Sequence, residues 1–241
     1  GTYSDCTIIV SDTYGNESEL LTITSFTIDS TAATLVGTSA VESPTNDSTP
    51  DYTFVSSEAG TITYSGSCSS STTSASAGTN TITLNFLSEG TYSDCKITVT
   101  DSLENAVTLS IGSFEIDTTE PTVTSFNTTA DNQSAVAITD NITVTFSEEM
   151  DTTTVTTNTD NTSCTGTLRV SSDNFSSCIQ MSSSSPVSSD YITFTLDPSD
   201  NLTSGKTYLT RVTTGVTDSA GNALSSQYDN STGFTTASTG H

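Results

Sequence analysis

The chain has 241 residues and carries 28 aspartates and glutamates against 4 lysines and arginines, for a net charge of −24. Lys96, Arg169, Lys206 and Arg211 are too few and too scattered to clamp phosphates, which excludes nucleic acid and anionic membranes as partners. Only 32% of residues are apolar, but charged residues are just 13% and the polar excess is serine and threonine, so a folded β protein fits better than disorder.

In chain order the first signal is a repeat. Residues 1–10, GTYSDCTIIV, return as GTYSDCKITV at 90–99, with eight of ten positions identical. One deletion later, Ser25-Phe26-Thr27-Ile28-Asp29 aligns with Ser113-Phe114-Glu115-Ile116-Asp117. A period near 90 residues is too long for a solenoid unit and suits one immunoglobulin-like sandwich. The expected organisation is therefore the last two strands of one repeat (1–29), a whole sandwich (30–118), a second sandwich of different sequence (119–236) and a tail (237–241). Residues 1–28 cannot bury Ile8, Val10, Leu21, Ile23 and Phe26 alone. They continue an upstream repeat or complete a neighbouring copy, and continuation is the favoured expectation.

Within residues 30–118, Tyr52–Val55, Thr61–Tyr64, Thr81–Leu84 and Cys95–Val99 alternate apolar with polar, the pattern of half-buried strands. Ser69–Ala77 reads as loop or edge strand. A hairpin signal then occurs three times, as Val10–Asn16, Val99–Asn105 and Val216–Asn222: each opens Val-Thr/Ser-Asp and ends in Asn. The aspartate can accept backbone N–H groups two residues on, and Gly or Asn is expected to supply the positive-φ residue. The one helical turn expected lies near Glu148–Thr152. The fold class is all-β, with tandem antiparallel sandwiches arranged head-to-tail.

Five cysteines fit this frame as staples. Cys68 with Cys95, and Cys164 with Cys178 around a hairpin at Leu168–Val170, are the expected disulfides, and Cys6, the repeat-mate of Cys95, pairs outside the chain. A metal site is the rival reading, but there is no CxxC and the only histidine is His241. Disulfides imply an oxidising compartment, so the protein is expected to be secreted or at a cell surface.

Residues 44–120 resemble the Ig-like repeats of large bacterial surface proteins and adhesins, through Glu89-Gly90-Thr91-Tyr92, the Val-Thr-Asp hairpin and the exit Ile116-Asp117-Thr118-Thr119-Glu120-Pro121. Residues 121–236 are similar to the bacterial Ig-like domain first described in S-layer proteins. The carriers are Ile142–Asp151, Leu202–Tyr208, Gly215–Leu224 and Gly233–Thr236. Tyr92 resembles a tyrosine-corner residue, but it precedes Cys95 by three positions where immunoglobulins use two. The resemblance implies a spacer or stalk without an active site.

The residues themselves agree that catalysis is absent. A Ser-His-Asp arrangement lacks an internal histidine, and the adjacent Glu148 and Glu149 point to opposite faces. Calcium is the one cofactor considered. Where one repeat meets the next, Asp29 is expected to approach Glu58, Asp101 and Glu104, and Asp117 and Glu120 to approach Asp151 and Asp218. The competing reading is that Asp101 and Asp218 only cap their own turns, with the acidic surface serving solubility. Lys96 and Lys206 are expected to be exposed, which argues against isopeptide cross-links. Nine N-x-S/T sequons occur, at Asn16, Asn46, Asn127, Asn132, Asn141, Asn161, Asn174, Asn201 and Asn230. The functional expectation is a non-catalytic segment of a long repetitive surface protein: a stalk, adhesin extender or fibre building block. Its partners would be neighbouring repeats or copies of itself. The alternative is a module that binds a surface glycan or protein through sandwich-end loops, for which Tyr14, Phe175 and Tyr228 are the few loop aromatics.

Overall fold

The computed structural model describes residues 1–128, 134–161 and 163–238. The sequon at Asn132 and the terminal His241 lie outside these residues. Every regular element among them is a strand.

Two compact units divide the chain: residues 1–41, 49–87 and 92–113 form the first, and residues 42–48, 88–91 and those from 114 onward form the second. The first unit opens with β1 (Thr2–Tyr3), β2 (Thr7–Ile8), β3 (Leu21–Thr22) and β4 (Phe26–Thr27), where β1 pairs β4 and β2 pairs β3. It continues with β5 (Leu35–Ser39), β6 (Asp51–Ser56), β7 (Gly60–Ser65), β8 (Ser74–Ala75) and β9 (Gly78–Thr83). β11 (Lys96–Thr100) and β12 (Ala106–Ser110) complete it, while β10 (Gly90–Tyr92) and β13 (Phe114–Ile116) belong mainly to the second unit. One sheet runs β5-β6-β9 and the other β12-β11-β7-β8, while β10 and β13 form a separate two-stranded ladder. Ser69–Ala77, read as loop or edge, supplies the short edge strand β8.

Alternation explains these strands. Along β6, Tyr52, Phe54 and Ser56 are buried while Asp51, Thr53 and Val55 are not. Ile62 from β7, Ile82 from β9 and Ile97 and Val99 from β11 are at most 2% exposed. Burying each such side chain stabilises by roughly 1.5–3 kcal/mol. The wet faces account for the threonine content. Hydroxyls bond across strands at Thr53–Thr81 (3.0 Å) and Thr98–Thr108 (2.8 Å).

The second unit adds β14 (Val123–Thr128), β15 (Ser134–Val136), β16 (Ile142–Phe146), β17 (Leu168–Ser171) and β18 (Thr193–Leu196). It closes with β19 (Thr207–Val212), β20 (Tyr228–Asp229) and β21 (Phe234–Thr236). A three-stranded sheet β14-β16-β18 faces a sheet β15-β21-β19-β17, with β20 beside β19. Their common core contains Val144, Phe146, Phe194, Leu196, Tyr208, Val212 and Phe234. Phe146 meets Phe194 edge-on at 5.9 Å, and Tyr208 stacks on Phe234 at 5.5 Å. Segments 42–48, 88–91 and 114–118 cluster with this unit although the repeat places them in the preceding sandwich. Thr45 N–H donates to the Glu115 carbonyl (3.0 Å) and Asn46 N–H to the Ala220 carbonyl (3.1 Å).

Disulfides join Cys68 to Cys95 and Cys164 to Cys178, and Cys6 is a free thiol. Two local expectations need correction. Residues 164–178 hold no hairpin: β17 pairs with β19, and the returning chain turns through Asn174 and Phe175, both at positive φ. Near Glu148–Thr152 there is no helical turn. Met150 bridges Asp218, and the turn comes later, closed by Thr154 N–H on the Asp151 carbonyl (3.0 Å).

Candidate metal-binding site

The repeated hairpin signal folds the same way three times. Asp218 Oδ1 accepts the N–H groups of Ala220 (2.8 Å) and Asn222 (2.8 Å), and its Oδ2 accepts the Asn222 side-chain amide (2.8 Å). Asp101 does the same with Leu103 (2.7 Å), Asn105 N–H (3.0 Å) and Asn105 Nδ2 (2.8 Å). Asp12 repeats it with Tyr14 and Asn16. Each aspartate thus caps its own turn, and the Asn16 and Asn105 bonds hold the Asp12 and Asp101 carboxyls below the usual range. The positive-φ residue is Gly15 (88°) in the first copy and Gly221 (95°) in the third. In the second it is Glu104 (69°), not Asn105, which corrects the expectation of Gly or Asn there.

The asparagine also reaches outward. Asn105 Nδ2 donates to the Asp29 carbonyl at 3.2 Å, and Asn222 Nδ2 to the Asp117 carbonyl at 3.0 Å. Each bond draws the chain entering a sandwich onto that sandwich's hairpin. The entering aspartates share a further turn: Asp29 Oδ1 accepts Thr31 N–H (3.1 Å) and Asp117 Oδ1 accepts Thr119 N–H (3.0 Å).

A glutamate completes each group, placed two residues past the end of an alternating strand, Glu58 after β6 and Glu148 after β16. The serine before it anchors it in both places. Thr34 N–H donates to Ser57 Oγ (2.9 Å), and Thr122 N–H to Ser147 Oγ (2.9 Å). Two triads result, Asp29/Glu58/Asp101 and Asp117/Glu148/Asp218, each with one oxygen per residue and all within 4.8 Å of one another.

That spacing suits a single hard cation. Two oxygens bound at about 2.4 Å lie at most about 4.8 Å apart. Among the described residues the one ion pair is Arg211–Asp229, so no described lysine or arginine bridges either triad. Burial pushes the Glu148 carboxyl up, and the charges of Asp117, Asp218 and Glu89 add to this. A cleft of about 440 Å³ opens beside it, lined by Glu89, Glu115, Asp117 and Glu148. The acidic triads could therefore bind a metal ion.

The sequence expectation placed Asp29, Glu58 and Asp101 together, and Asp117 with Asp218, as found. It also grouped Glu104, Glu120 and Asp151 with them, and neither triad includes these three. Glu104 serves as the left-handed residue of its turn, Glu120 is exposed, and Asp151 bonds Thr153 N–H (2.9 Å). Glu148 was missed as a member of its triad. Its signal was legible as Val55-Ser56-Ser57-Glu58 beside Thr145-Phe146-Ser147-Glu148, a Ser-Glu pair closing an alternating strand in each unit.

The remaining loop chemistry is sparse. No histidine lies among the described residues. Phe175 is not an open aromatic, because Arg211 covers its ring at 3.9 Å while binding Asp229 through Nε and Nη2. Lys96 and Lys206 are exposed.

No curated protein gives a significant match to the chain. Residues 117–236 match the model of the family described as bacterial Ig-like domain, a kind typical of surface proteins and generally non-catalytic. With its disulfides, and with no helix among the described residues long and apolar enough to cross a membrane, the chain is consistent with an extracytoplasmic location. The two facing sheets of the second unit, from the Asp117 turn to the Phe234–Thr236 strand, are accordingly a bacterial Ig-like domain.

Proposed function

We propose that this chain is a non-catalytic structural segment of a repetitive, secreted or cell-surface protein, whose modules are stiffened by calcium in the two acidic triads. The observation that carries the reading is the duplication of one constellation in both units. An entering aspartate, a Ser-Glu at a strand end and an Asp-x-x-x-Asn turn recur with the same bonds. A geometry built twice from dissimilar sequence serves a purpose common to both modules, which favours a mechanical role over a specific ligand. The partners would be neighbouring repeats or copies of the same protein.

Calcium calorimetry and thermal unfolding on the whole chain test it. Sites of this charge in extracellular modules bind with Kd of about 0.1–1 mM, so 10 mM calcium should stabilise by about 1.4–2.7 kcal/mol per site. Glu148→Gln should be as stable as wild type or more so without calcium, because it removes a disfavoured charge, and should lose the calcium response of its unit. No heat of binding and no stabilisation would refute the calcium part.

A second reading, recognition of a surface glycan, draws on a polar cleft of about 580 Å³ lined by Asp140, Asn141, Asp197, Ser199, Asp200 and Asn201. Its lining has no aromatic ring for a sugar to stack on. Binding on a glycan array that Asp200→Ala abolishes would favour this reading.

A further inference from the structure

The internal repeat pairs off side chains that meet opposite surroundings. Ile97, Val99, Phe114 and Ile116 are at most 1% exposed, whereas their counterparts Ile8, Val10, Phe26 and Ile28 are 45%, 65%, 43% and 55% exposed. Cys95 is buried and its counterpart Cys6 is not. Local pairing is the same in both copies. Thr7↔Thr22 and Ile8↔Leu21 repeat Lys96↔Ser110 and Ile97↔Leu109. The difference lies at the other strand edge. β11 is also paired there by β7, from Lys96↔Ser65 to Thr100↔Thr61, whereas among the described residues β2 pairs with β3 alone.

The covered copy also records what arrives with that strand. The Asp94 carboxylate accepts from Ser67 N–H (3.0 Å) and Ser67 Oγ–H (3.1 Å). Gly66, at φ 79°, sits so close that an added Cβ would stand 2.1 Å from the Asp94 carbonyl oxygen. Cys68 then bonds Cys95. Asp5 and Cys6 are the counterparts of Asp94 and Cys95.

We infer that the exposed face of residues 1–29 docks a β-strand of the kind formed by residues 60–68, from a repeat related to residues 30–87. The strand carries Thr-Ile-Thr-Tyr alternation followed by Gly-Ser-Cys. It lies antiparallel along β2 and fills the face over Ile8 and Val10. Asp5 holds its Gly-Ser, and Cys6 forms a disulfide with its cysteine. In that step the two thiols give up two protons and two electrons to a small disulfide oxidant, which leaves as two thiols. A second copy of this chain is not the occupant, since its own Thr61–Ser65 strand is already paired by β11 and β8.

The test mixes the whole chain with a peptide copying residues 60–70 in a glutathione redox buffer and maps adducts by mass spectrometry. One peptide per chain is expected, on Cys6, and none on Cys6→Ala. A peptide with Ile62→Ser and Tyr64→Ser should give roughly tenfold less adduct. The chain variants Ile8→Asp and Asp5→Ala should each lower the yield severalfold with the original peptide. Both side chains are solvent-exposed, so these changes leave the rest of the fold intact. Equal yields from the two peptides would overturn the proposal, because they would show only an accessible thiol. So would a Cys6–Cys6 dimer as the main product, because it would make a second copy the occupant.

Discussion

The side-chain amide of Asn222 donates at once to Asp218 Oδ2 at 2.8 Å and to the main-chain carbonyl of Asp117 at 3.0 Å. One residue thereby ties the hairpin turn to the chain that enters the module. Asp218 is 1% exposed, so losing its partner strands a buried carboxylate oxygen. Asn222→Ala should cost about 2 kcal/mol, whereas Asn16→Ala, in the exposed copy of the same turn, should cost well under 1 kcal/mol. Denaturant midpoints at unchanged m-value check both.

Glu104 occupies a left-handed position that glycine holds in the other two copies. A non-glycine residue pays roughly 1–2 kcal/mol there, and glycine returns part of that through its looser unfolded chain. Glu104→Gly should therefore stabilise by about 0.5–1 kcal/mol. Because Glu104 lies outside the triad, the variant should leave calcium binding unchanged in calorimetry.

Thr210 points into the core of the second unit at 1% exposure, and its hydroxyl oxygen has no hydrogen-bond partner. Valine has the same shape without the buried polar atom. Thr210→Val should raise stability by about 1 kcal/mol, read as a higher thermal midpoint, and Thr210→Ser should lower it.

Asp173 is clamped by Ser177 and Ser171, which lower its carboxyl to about 2. A depressed folded-state value means the clamp contributes above the unfolded carboxylate range and is lost as pH falls from about 4 through about 2. A carbon-detected NMR titration should find the Asp173 midpoint near 2, and Ser177→Ala should move it up.

Much of this fold was legible because alternation is a local property. Tyr52-Thr53-Phe54 and Ile142-Thr143-Val144 each declare a strand and the face it buries. The Asp-x-x-x-Asn turns were legible for the same reason, since every bond of the cap lies within five residues. What escaped depends on distant partners. Nothing local marks Asn46 as a neighbour of Ala220, and β17 takes its ladder partner, β19, from about 40 residues away. Glu148 was obscured by Glu149, since a pair of adjacent carboxylates invites comparison with each other. Its true companions, Asp117 and Asp218, lie 31 and 70 positions away.

Modules stiffened by calcium at both triads should resist extension, and pulling the single chain from both ends measures that resistance. In calcium, extension should proceed through discrete unfolding steps whose released length excludes the residues behind each disulfide. Reduction should then add about 90 Å for the 27-residue Cys68–Cys95 loop and about 50 Å for the 14-residue Cys164–Cys178 loop. Removing calcium should lower the unfolding forces. A chain that extends without resolvable steps, or whose forces ignore calcium and reduction alike, would contradict a tension-bearing, calcium-stiffened role.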